Sequence, residues 1–437
     1  MRKLLVICLG FSLALTACTR RQPTQPAKQD EPAKQAKHEP VEKVKPVPKE
    51  TLYEGKPLKA WLQGLQDTDP KVRRNAAEVL SKHAAEVVST SEADAAIAPL
   101  TDKLKDSDAT VRYYAADGLG RFGPKARGAV PSLTGMVNGP DEAVRKPAML
   151  SLERIGPDAA PAAPALVKAL KDRDPDIRAA AAEALGHIKP DPKIAASPLI
   201  EALKDKSPVN GAVRRFAAEA LGYMGLPAKD GLPALIVLLD DKNTEVRQQV
   251  VLALGRIDAK DRSALAALGK ALHDSDREVH EKAVQVLIAI GQPAVPTLVK
   301  AVKDPDAVVS VRAIDSLAKL GPKAERAVPA LSAALKHMNG LIRKQAVTAL
   351  GRIGPKTEAL VPGLIEALQE PNEEVRQFAA DNLGALGPDA RAAVPTLLEA
   401  LHDKDATVLQ KAAAALGRID PDAKQVLPIL TKALKQP

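Results

Sequence analysis

The apolar and polar positions of this chain repeat with a long period. The phrase Asp/Asn-x-x-Val/Ile with a Leu eleven positions after its acid or amide occurs eleven times. The acid or amide falls at Asp69, Asp108, Asp141, Asp174, Asn210, Asn243, Asp276, Asp306, Asn339, Asn372 and Asp405, mostly 33 residues apart, with steps of 39, 36 and 30 as exceptions. A period of this size marks a solenoid built from one supersecondary unit, because each unit is too small to bury its own apolar face.

Taking the residue after each Val/Ile as position zero, apolar residues fall at −1, +3, +7 and +10. At 100° per residue they share an arc of about 90°, which predicts one amphipathic helix per unit. The acid or amide at −4 is placed as an N-cap, and endings such as Ile155-Gly156-Pro157 and Ile353-Gly354-Pro355 supply a C-terminal stop. A second apolar stretch precedes each of these helices. Ala129-Val130-Pro131, Ala327-Val328-Pro329 and Ala393-Val394-Pro395 put Pro near a helix start, and about three helical turns are expected to follow. Each repeat is therefore predicted to be a helical hairpin, the whole an all-α solenoid of about eleven units spanning residues 54–437, with a capping helix at the C-terminal end. Helix pairs at ~8 to 10 Å spacing would stack into a rod on the order of 100 Å long.

Position zero is Arg in eight units, at 73, 112, 145, 178, 214, 247, 343 and 376. With Asp at −4 and Arg at zero, the repeats resemble HEAT repeats of the short, Ala-rich type first associated with phycobilin lyase subunits. The resemblance implies a ladder of Asp and Arg side chains between neighbouring repeats, with the second helices lining a concave face. His280, Ser310 and Leu409 replace the ladder Arg, and weaker coupling is expected there.

The N-terminus reads differently. Met1-Arg2-Lys3 and the apolar run from Leu4 to Leu15 resemble a secretory signal, too short for the ~20 residues that span a bilayer. Leu15-Thr16-Ala17-Cys18 looks like a bacterial lipobox, so residues 1–17 are expected to be removed and Cys18 to carry the lipid. A plain secreted protein with a chance Cys is the alternative. Thr19 rather than Asp follows the Cys, which by the same resemblance points to the outer membrane, facing the periplasm. Residues 18–53 would then be the lipidated Cys and a Pro/Lys-rich tether without apolar period. The formal charge of +9 shrinks to about +4 for the array once the signal and the tether are set aside. That balance and 2% aromatics argue against a nucleic-acid partner.

Chemistry is sparse. The seven His form no His-x-x-x-His pair, and His280-Glu281 alone cannot build the di-iron site of the HEAT-type deoxyhypusine hydroxylases that the fold resembles. Phosphate loops and a nucleophile elbow are absent. No cofactor and no catalysis are expected; a lyase-like or metal-dependent enzyme is one alternative, and an envelope protein that binds wall polymer is another.

Binding residues are expected on the arc of the second helix opposite its core, at +1, +2, +5 and +9. Position +9 is Lys or Arg in seven units. Such a row also complements the helix dipole, and Glu78-Lys82, Asp117-Arg121 and Asp315-Lys319 are i,i+4 pairs. Arg154, Arg256, Arg352 and Arg418 have no acid at i−4 and are the candidates for an acidic partner. Five of the eight aromatics beyond the signal share this arc: Tyr113, Tyr114, Phe216, Tyr223 and Phe378. They are either interface residues or packing against the next repeat. Trp61 is expected to cap the first unit, and Pro147 to kink the third. The expected partner is a protein or peptide lying along the concave face of a monomer whose lipid anchor holds it to the membrane.

Overall fold

The computed structural model describes residues 51–207, 211–354 and 360–419. Cys18, the tether up to residue 50, Asn210 and the expected C-terminal cap lie outside the described residues. The described chain is a tandem of helix pairs. The second, inner helices run Pro70–Lys82, Ala109–Phe122, Glu142–Ile155, Pro175–His187, Ala212–Met224, Thr244–Ile257, Arg277–Ile290, Ala307–Leu320, Gly340–Ile353, Glu373–Leu386 and Ala406–Ile419, and define repeats one to eleven.

The expected N-caps form. Asp108 accepts the N–H of Thr110 and Val111 at 2.9 and 3.2 Å, and Asp276 those of Glu278 and Val279 at 3.0 and 3.1 Å. Repeat five differs: Gly211, at φ +63°, precedes the helix and offers no side-chain cap. At the other end, Gly123, Gly156, Gly321 and Gly387 stand at φ between +57° and +77°, where other residues are strained.

The first helices that begin with the Ala-Val-Pro motifs are shorter than expected, whereas Ala93–Lys103 and Pro192–Ala202 reach three turns. Val130–Val137 has eight residues, about two turns, and follows a separate 3-10 turn over Gly123–Ala129. The inner helix of repeat three runs without interruption through Pro147, whose carbonyl accepts from the Ser151 hydroxyl at 2.7 Å. A short hairpin, β1 (Leu52–Tyr53) with β2 (Lys56–Pro57), closes the N-terminal end. Its Tyr53 is buried and its carbonyl accepts from the buried Trp61 indole at 2.7 Å, so the array begins before residue 54 and Trp61 caps it together with the hairpin.

The Leu row is the spine of the core: Leu119, Leu152, Leu185, Leu221, Leu254, Leu287, Leu317 and Leu383 are fully buried. The ladder exists, but its acceptor is not the N-cap Asp. Arg73 makes two hydrogen bonds to Asp106, at 2.9 and 3.0 Å, and Arg247 does the same to Asp274 and Arg376 to Asp403. The acceptor lies two residues before the cap, where its carboxylate also takes the N–H of the cap residue, as Asp274 does from Asp276 at 2.9 Å. Meanwhile the Arg Nη1 donates to carbonyls of its own loop, Asp67 and Thr68 for Arg73. One guanidinium thus fastens two consecutive loops. Repeat three has Gly139 at the acceptor position, and there alone Arg112 reaches the cap Asp141. Where Arg is missing, the side chains of His280 and Ser310 bond only carbonyls of their own repeats.

Close packing of the inner helices has a cause the apolar pattern does not display. Position +8 is Gly in repeats two, four, five, six, nine, ten and eleven, and in the second, fourth, fifth, sixth and tenth it meets position +6 of the next repeat. A Cβ on Gly120 would lie 2.8 Å from Ser151 Cα, on Gly222 3.0 Å from Ala253 Cα, and on Gly384 2.8 Å from Ala415 Cα. These backbones touch. The inner row packs more closely than the first-helix row. In repeat seven Ile288 occupies the Gly position, and in repeat ten the Phe378 ring faces Gly351; the inner helices touch least at these two seams.

Candidate partner-binding surface

The candidate face is the solvent side of the inner helices, and helical geometry brings the expected residues to it in different states. Tyr113 is 44% exposed and stacks edge-on against Tyr114, centroids 5.3 Å apart, while Tyr114 packs half-buried on the core. Phe216 is also half-buried, with the Arg215 guanidinium 4.2 Å above its ring. Phe378 fills the space beside Gly351 of the preceding repeat. Of the two readings open for the aromatic row, packing therefore holds for Tyr114, Phe216 and Phe378. Tyr113 and Tyr223 present their rings to solvent.

The cations divide too. Arg154 is not available in the way its i−4 neighbour implied, because its Nη1 donates to Asp117 of the preceding repeat at 2.8 Å. Asp117 also accepts from Ser81 and Arg121. Burial pushes this carboxyl up, but the three donors together hold it below the ordinary Asp range. Lys82 likewise pairs with Glu54 of the hairpin at 2.6 Å rather than with Glu78. Arg352 and Arg418 are exposed and make no ion pair among the described residues. Arg256 lies 4.9 Å over the Tyr223 ring, whose hydroxyl donates to Glu219 at 3.0 Å.

Beside Arg256 the face opens into a notch of about 290 Å³ between repeats six and seven. Its wall is apolar: Leu252, Gly255, Val286, Ala289 and Ile290, with Arg256 at the rim. The notch follows from two substitutions in the repeat pattern. Ala289 stands in the row that is elsewhere mostly Lys or Arg, and Val286 stands where a small residue meets Gly in tighter seams.

Across repeats three to five the same face is acidic. Glu153, Glu183 and Glu219 come from three consecutive inner helices. Burial raises the Glu153 and Glu183 carboxyls above the ordinary Glu range, and Glu183 is raised further by Glu153. His187 sits among them, 3.6 Å from Glu153 Oε1, with its Nδ1 3.0 Å from the Glu183 carbonyl and its ring 5.8 Å from that of Tyr223. Among the described residues no three His, Cys, Asp or Glu side chains are grouped so as to hold a metal ion.

Sequence reasoning passed over the notch and the acidic stretch. The pair Leu-Gly, present in seven of the eleven units, was the available signal, since its Gly marks where backbones meet and its absence from Leu287-Ile288-Ala289 marks where they part.

The family description "HEAT repeats" matches seven overlapping segments, at residues 58–153, 97–186, 135–209, 196–288, 232–318, 295–362 and 361–437. No curated protein matches the chain. Among solved structures, an engineered protein is 22% identical, with 83% of this chain and 98% of that one covered and a TM-score of 0.46. Helix pairs in tandem, an Arg ladder between their loops and family matches running end to end from residue 58 to residue 437 together make this chain a member of the HEAT-repeat family.

Proposed function

We propose that this protein is a non-catalytic scaffold, exported and lipid-anchored through Cys18, whose concave face binds a protein or peptide partner. The notch beside Arg256 carries the reading. Its volume of about 290 Å³ suits one bulky side chain, its wall offers apolar contact, and the guanidinium at its rim is held in place by Tyr223. Buried apolar anchors flanked by Arg and Tyr are the usual composition of interface hot spots. An extended partner fits this face when an apolar residue with a neighbouring carboxylate enters the notch. Its further acidic groups would meet Arg352 and Arg418, and a basic group the Glu153, Glu183 and Glu219 stretch.

The test compares wild type with the double variant Arg256→Glu, Ala289→Phe in affinity capture from solubilised membranes, followed by mass spectrometry. A partner captured by wild type and lost by the variant supports the reading. Equal capture by both sinks it. The anchor is tested separately: Cys18→Ser is expected to move the protein from the membrane fraction to the soluble fraction, and unchanged fractionation overturns the lipid assignment.

A further inference from the structure

The outer face carries a second cleft, between the first helices of repeats seven (Arg262–Lys270) and eight (Val295–Val302), of about 650 Å³. Its origin is legible in the alignment of the repeats. Gly269 occupies a position that is Thr134, Val167, Ile200, Ile236 and Val299 in other units, so the side chain that would fill the gap between neighbouring first helices is missing. Thr297 leans into the vacated space, its methyl 2.6 Å from where a Cβ on Gly269 would stand. The seam beneath is also the one where His280 replaces the ladder Arg and Ile288 the close-packing Gly.

The floor of the cleft is small and apolar, with Ala266, Gly269, Pro296 and Ala301. Its rim is basic. Lys270 is occupied by Asp240 at 3.0 Å, and His273 holds Asp304 at 3.0 Å. Lys300 and Lys303, both exposed, make no ion pair among the described residues. An apolar floor under two uncommitted ammonium groups is complementary to an acidic segment with an apolar anchor. We infer that this cleft is a docking site for an acidic peptide segment bearing one bulky apolar side chain, seated over Gly269 with its carboxylates on Lys300 and Lys303. The site lies on the opposite face from the notch beside Arg256, so it is independent of the concave-face reading.

The probe is a fluorescein-labelled peptide, Glu-Glu-Asp-Leu-Phe-Asp-Glu-Glu, titrated into the full chain by anisotropy, beside the same peptide with Lys at every acidic position. Hydrogen exchange maps the bound region. The acidic peptide is expected to bind, to protect residues 262–273 and 295–305, and to lose at least tenfold in affinity in Lys300→Glu, Lys303→Glu. Gly269→Val, which fills the floor, is expected to weaken binding with circular dichroism unchanged. If Gly269→Val fails to fold, the charge variant, which alters only exposed side chains, decides. Absent binding, equal binding of both peptides or an unaffected charge variant overturns the proposal. Protection confined to the inner helices also overturns it, and would leave the concave-face reading standing.

Discussion

Asp108 and Asp261 are the two carboxyls among the described residues that their contacts hold farthest below the ordinary Asp range, and for Asp108 the contact crosses a seam between repeats. The Arg74 guanidinium, with the Val111 and Thr110 N–H groups adding to it, holds its carboxyl at about 2. An unfolded Asp titrates near ~3.9. The folded state therefore binds fewer protons between these values, and the contribution of Asp108 is present above about pH 4 and lost as pH falls through about 2. Asp108→Asn is expected to flatten the acid limb of a urea-denaturation series in that window and to change little at pH 7 beyond the loss of the ion pair. Glu183 has the opposite sign. Burial, then Glu153, raises its carboxyl, so its contribution is present at low pH and lost as pH rises through the raised value. Glu183→Gln is thus expected to raise the melting temperature at pH 7 and to leave it unchanged at pH 4. A uniform shift at both values would show that Glu183 is not held in an unfavourable charged state.

Between helices, the seam is the unit of stability. Where Gly at +8 meets a small residue at +6, the backbones are in contact, and a branched side chain cannot enter without separating the helices. Gly120→Val, with Ser151 Cα 2.8 Å from the new Cβ, is expected to cost ~1 to 3 kcal/mol, read from the midpoint of chemical denaturation. Repeat seven shows the natural version of this substitution in Ile288, and the structure tolerates it by letting two inner helices part. The hairpin repeat was legible in the sequence because period, cap and core positions are local properties of one helix. The ladder acceptor was not legible as such. Asp at −4 and Asp at −6 are both frequent, and only the docking of one loop on the next decides which carboxylate the Arg reaches.

For the whole molecule, a nearest-neighbour array distributes damage unevenly. Leu221→Ala, in a fully buried position, is expected to cost ~2 to 5 kcal/mol and to raise hydrogen exchange chiefly in repeats four to six. Exchange that rises evenly along the chain would contradict a solenoid. In the unmodified protein, the inner helices Arg277–Ile290 and Ala307–Leu320 are expected to exchange faster than Pro175–His187 and Ala212–Met224, because the seam between the first pair lacks both the ladder Arg and the close backbone contact.

The sequence alone determined the architecture and the repeat boundaries. Tandem units each repeat the same local instructions, and the period multiplies a weak signal eleven times. It also nominated the exposed arc, since helical phase follows from spacing. What tertiary structure decided is which residues on that arc are available. Arg154 is taken by a carboxylate 37 positions away, Phe378 leans on the preceding repeat, and Gly269 and Ala289 open clefts only because of what stands opposite them. These are relations between neighbouring units, set by the distance and angle at which one helix pair seats on the next. A single repeat carries the residues but not that geometry.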